Sequence, residues 1–135
     1  MASISDLRAG IAANLATISG LRVSAEMPDN PNPPQAIVAF NDAEFDLDFN
    51  RGMSQYNFTV TVIVGRAAER SAQRTLDSYC SSTGATSIKL AVESNRTLSG
   101  VAYDTRVSQL SSYGSITVGD TTYLAAEFDV QCYAS

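Results

Sequence analysis

The sequence predicts an α+β fold: a mainly antiparallel β-sheet with two main helices packed on one face. Three observations carry that prediction. Apolar residues recur at helical spacing near residues 7–18 and 68–80, and at period two through the middle and the end of the chain. All four prolines fall within residues 28–34, between the first helix and the first long strand. With 135 residues, 44% of them apolar and 17% charged, the chain has the size of a single domain, 1–135, able to bury a core.

Leu7, Ile11, Leu15 and Ile18 form one apolar stripe at helical period. Ser3 or Ser5 can cap its start, Asp6 suits the positive end of the helix dipole, and Gly20 is a natural stop. A short strand, Leu21 to Ala25, follows. Proline lacks the N–H and restricts its predecessor, so Met27 to Pro34 is read as an extended loop. Ala36 to Phe40 forms a short buried strand. Phe45, Leu47 and Phe49 then alternate with Glu44, Asp46 and Asp48, and Tyr56, Phe58, Val60, Val62 and Val64 continue the alternation as a hairpin. A four-residue loop ending at Met53 pairs Phe45 with Phe58 and Leu47 with Tyr56, which keeps both apolar sets on one face.

Ala67 to about Ser81 reads as the second helix, with Ala68, Ala72, Leu76 and Tyr79 or Cys80 inward. Thr86 to Ser94 fits either a strand (Ile88, Leu90, Val92) or a short helix capped by Thr86 or Ser87, and the helix is preferred. Val101 to Leu110 is rich in β-branched and aromatic residues. The last strand alternates Leu124, Ala126, Phe128, Val130 and Cys132 against Tyr123, Glu127, Asp129, Gln131 and Tyr133. A three-residue loop through Thr121 is expected before it, because that register sets Ile116 beside Leu124 on the apolar face.

Composition excludes several chemistries. Nine basic and fourteen acidic side chains give a net charge of −5, which disfavours a surface built to clamp nucleic-acid phosphates. The absence of histidine removes the commonest general base and zinc ligand, together with Ser-His and Cys-His nucleophile pairs. No apolar run reaches the ~20 residues of a membrane span, and residues 1–20 lack a signal-peptide pattern, so a soluble, intracellular, non-enzymatic domain is expected. Cys80 and Cys132 lack CxxC spacing and are read as free core thiols. Two Asn-X-Thr triplets, at Asn57 and Asn95, then count as accidental sequons.

No phosphate-binding loop, zinc-protease, nucleophile-elbow or EF-hand spacing occurs. Two constellations remain. Glu44, Asp46 and Asp48 line one face of a strand at ~6.5–7 Å intervals, too far apart to share one ion without further ligands. A solvated polar face is the plain reading of them. Arg66, Arg70 and Arg74 fall at spacing four on the second helix, beside Glu69 and Asp77. They form either an exposed salt-bridged stripe or a docking surface for an acidic partner, since guanidinium suits bidentate carboxylate contacts.

The order of parts resembles a known family. The segments are the N-terminal helix, Gly20-Leu21-Arg22-Val23, the proline loop, Ala36-Ile37-Val38, the strand Phe58 to Val64 and the helix after it. Asn95-Arg96-Thr97-Leu98-Ser99-Gly100-Val101 and Tyr123-Leu124-Ala125-Ala126-Glu127-Phe128-Asp129-Val130 complete the series. Over nearly the whole chain this resembles the tail terminator (tail completion) proteins of long-tailed bacteriophages, especially those of actinobacterial hosts. The resemblance implies a virion subunit at the tail–head junction, assembled in the host cytoplasm. It implies a homo-oligomeric ring, usually a hexamer, that stops tail-tube growth and meets the head connector or head-completion protein. DNA would pass through the lumen without specific binding; no active site, cofactor, metal or membrane is implied. On that reading Glu44, Asp46 and Asp48, or the tip Asn50-Arg51-Gly52-Met53, face the lumen or the tail tube, and Arg66, Arg70 and Arg74 lie at a subunit or neck interface. The alternatives are another neck or tail-tube component and, more remotely, a small metal- or ligand-binding enzyme using the carboxylate triplet.

Overall fold

In the computed structural model the first apolar stripe forms helix α1 (Ile4–Leu15). Residues 3–18, 21–24, 34–45, 53–66, 70–82, 84, 86–118 and 120–134 are described. The Ser3 hydroxyl caps α1 by accepting the Asp6 amide at 3.0 Å, and Leu7, Ile11, Leu15 and Ile18 are buried, as the spacing predicts. Gly20 and the proline loop up to Pro33 lie outside the described residues. The strands are β1 (Arg22–Ser24), β2 (Gln35–Glu44), β3 (Ser54–Arg66), β4 (Asp104–Val118) and β5 (Thr121–Ala134). The remaining helices are α2 (Arg70–Cys80) and α3 (Ile88–Glu93), with a 3₁₀ turn at Leu98–Gly100. Among the described residues the two predicted main helices stand as α1 and α2, and 86–94 takes the preferred helical option as α3, capped by the Ser87 hydroxyl on the Leu90 amide.

The sheet is mixed, in the order β1-β2-β3-β5-β4. β1 runs parallel to β2, and every other pair is antiparallel. Alternate residues of β3 and β5, Tyr56 to Val64 and Ala126 to Ala134, join one core with Leu7, Ile11 and Leu15 of α1, Ala72, Leu76 and Tyr79 of α2 and Ile88 and Val92 of α3. All three helices thus cover one face, because the period-two apolar rows give them one surface to bury.

Two predicted registers are corrected. Phe58 pairs with Phe40 and Tyr56 with Ala43, not with Phe45 and Leu47, because β2 runs from 35 to 44; residues 50–52 of the predicted loop lie outside the described residues. A bulge at Asn41 shifts the alternation, bringing Ala43 to the core side after Ala36, Val38 and Phe40. Phe45 is instead 65% exposed, with its ring edge-on to Tyr56; Leu47 and Phe49 lie outside the described residues. At the other hairpin, Val118 pairs with Thr121, so two residues and not three separate the paired ends, and Ile116 lies opposite Tyr123 rather than Leu124. That register is acceptable because the helix-free face carries its own apolar cluster: Ile37, Ile63 and Ala125, with Ile116 and Tyr123 packed against them.

β4 is an outer strand, and its first half is closed off. The Glu93 carboxylate accepts the Val107 amide at 3.0 Å and is held by Lys89 at 2.7 Å, while Arg96 grips Asp104 through two hydrogen bonds of 2.7 and 3.0 Å. Bulges follow at Ser108 and Ser111, whose hydroxyls donate to the carbonyls of Asp129 and Glu127. Among the described residues no strand lies beyond β4.

Candidate functional site

The helix-free face of the sheet is the surface most distinct in chemistry. Residues between the core positions point to it: Gln55 and Asn57 of β3, and Glu127, Asp129 and Gln131 of β5. Register adds Asp42 and Glu44 of β2 and Arg106 and Gln109 of β4. Side-chain amides hold two of the carboxylates, Asp42 and Asp129, in place. Asn57 Nδ2 donates to Asp42 Oδ1 at 2.5 Å, Gln55 Nε2 to Asn57 Oδ1 at 2.8 Å, and Gln109 Nε2 to Asp129 Oδ2 at 2.7 Å. These groups surround an open depression of about 450 Å³. Such an array presents oxygen acceptors and net negative charge; it contains no activated nucleophile.

The structure distributes the predicted site residues unevenly. Glu44 is exposed at the end of β2, whereas Asp46, Asp48, Asn50 and Arg51 lie outside the described residues; Met53 is half-buried just before β3. Of the carboxylate triplet Glu44 is the described member, and it joins the acidic rows above. The arginine series is corrected. Arg66 ends β3 opposite Tyr123, Arg70 opens α2, and Arg74 is exposed on that helix, so the three do not form one helical stripe. The bulge at Val64 and the continuing ladder keep Arg66 in the sheet. Asp77, the expected partner of Arg74, accepts the Tyr113 hydroxyl at 2.6 Å instead, tying α2 to β4.

Sequence reasoning had part of this surface in view. The alternation of β5 marks Glu127, Asp129 and Gln131 as outward, but joining them to Asp42, Gln55, Asn57 and Gln109 requires the strand order. Elsewhere the titratable groups serve the scaffold. Burial pushes Glu93 up, yet the hydrogen bonds from Lys89 and the Val107 amide and the charges of Lys89 and Arg96 outweigh it and hold the carboxyl below its ordinary value. The Arg96 hydrogen bonds lower Asp104. Cys80 and Cys132 are free thiols, as expected; burial pushes each to about 11. Among the described residues no group of three or more His, Cys, Asp or Glu is placed to hold a metal ion, and no helix is long and apolar enough to cross a membrane.

No family model matches the chain, and no curated protein matches it.

Proposed function

We propose that this chain is a structural subunit of a bacteriophage virion, forming a ring that terminates the tail tube and joins it to the head connector. The observation that carries the reading is the acidic, amide-braced face of a sheet whose other side is closed by helices. A pore that passes DNA needs a wall that phosphates do not grip. Rows of carboxylates, Asp42 and Asp129 braced by amides and Glu44 and Glu127 beside them, repeated around a ring, supply that repulsion. Asp46 and Asp48 belong to this wall if the triplet acts as one group. The helix side supplies the contacts between subunits or with the neck, where Arg70 and Arg74 meet acidic partners.

Electron microscopy of the purified protein, alone and with tail-tube subunits, tests the proposal. Single annuli, or tubes capped at one end, are the expected result. Growth of this chain alone into long tubes would assign it to the tube instead. Substrate turnover by a lone monomer would overturn the structural role altogether.

A further inference from the structure

We propose that the edge of β4 between Ser112 and Val118, beyond which no strand lies among the described residues, pairs antiparallel with the same edge of a second copy of this chain, about a two-fold axis at Ser115. Glu93 and the two serine bulges close the edge as far as Ser111, but beyond it β4 runs to Val118 without a bulge. Residues 112, 113, 115 and 117 are exposed. Proteins ordinarily blunt such an edge with charge or proline, yet from Val107 to Val118 there is neither. In a ladder closed by a two-residue turn, Val118 and Thr121 exchange hydrogen bonds, so Tyr113, Ser115 and Thr117 turn their N–H and C=O groups away from β5. The 3.3 Å approach of the Thr117 and Thr122 hydroxyls fits that alternation, since side chains come closest at the non-hydrogen-bonded pairs.

Charge and parity select the occupant. Pairing the strand with its own copy sets Tyr113 opposite Thr117 and Ser115 opposite Ser115. Every outward N–H then meets an outward C=O, and no like charges face each other although identical residues are juxtaposed. Asp104 and Arg106 fall outside the paired window. On the other side of the sheet β1 has only three residues, and the flank of β2 past it, from Val38, is interrupted by the bulge at Asn41 and carries Asp42 and Glu44. The contact is isologous and closes on two copies, so it does not rest on the ring proposed above, whose closure requires heterologous contacts.

Sedimentation across a concentration series tests it with two variants. Ser115→Pro removes an outward N–H while sparing the ladder to β5; Ser115→Lys sets two like charges on the axis and decides the matter if the proline variant does not fold. The expected result is a concentration-dependent dimer of the wild-type chain that is lost in the variants, whose circular dichroism is unchanged. Hydrogen exchange should slow at the Tyr113, Ser115 and Thr117 amides only in the dimer. A wild-type monomer throughout, an open-ended polymer, or a dimer undiminished in Ser115→Lys would overturn the proposal. A ring that persists in Ser115→Lys with no dimer in the wild type also overturns it and leaves the ring reading intact.

Discussion

Asn14 shows how a single side chain can lock two helices together. It is buried on α1, and its Nδ2 donates to the carbonyls of Val92 (2.9 Å) and Asn95 (3.1 Å) at the end of α3. Asn14→Leu leaves those carbonyls without this donor and should lower stability by about 1–3 kcal/mol in urea unfolding. Gly10 and Leu98 form a second such lock. Leu98 has a φ of 50° and is 2% exposed, and a Cβ at residue 10 would lie 2.8 Å from Leu98 Cβ. The strained leucine is therefore seated against bare backbone. Gly10→Ala should cost about 1–3 kcal/mol by overpacking, and adding Leu98→Ala should not rescue it, because the opposing atom is the Cβ that alanine retains. Leu98 thus has a packing role, one that depends on a contact across 88 residues and is invisible to local spacing.

At the scale of elements, the junction of α3 with β4 carries the pH dependence on the acid side. Glu93 and Asp104 both titrate below their ordinary values when folded. Their contribution is present above the unfolded carboxylate range and is lost as pH falls through the lowered folded values. Glu93→Gln should therefore flatten the acid limb of a thermal-unfolding profile, because it removes the titrating carboxylate while its amide oxygen can still accept from the Val107 amide. Of the elements themselves, those with unbroken periodicity were legible: the α1 stripe, the α2 stripe and the rows of β3 and β5. The registers of the two hairpins were not. Bulges at Asn41, Ser108 and Ser111 each insert one residue, and nothing in a period-two pattern marks where. The Ile116–Tyr123 pairing was missed for a different reason: Ile37, Ile63 and Ala125 make the supposedly wet face locally apolar, and that cluster exists only once the strand order is known. The acidic surface followed the same division, with its β5 row readable and its neighbours across β2, β3 and β4 not.

The whole molecule has a second pH limit. Both thiols are raised to about 11 from an ordinary 9, so each stays protonated in the folded chain where the unfolded chain has ionised. Stability should be fully present below pH 9 and fall between 9 and 11, and Cys132→Ser should remove part of that slope in calorimetric unfolding. For the proposed ring, charge is the lever. Glu127→Lys with Asp129→Lys should leave annuli intact in micrographs but arrest the genome in the neck, because the wall then attracts phosphate. Reversal of Arg70 and Arg74 should have the opposite outcome, with folded subunits that fail to close or to join heads. Normal particles from both pairs of mutants would remove the assignment of faces.

The strand order carries a consequence for synthesis. β5 is last among the strands yet lies between β3 and β4. Until residues 121–134 leave the ribosome, β4 has no ladder partner and β3 is paired only with β2. Nascent chains must therefore wait with two strand flanks open to chaperones, and the β3-β5-β4 half of the sheet closes late in a largely non-local search.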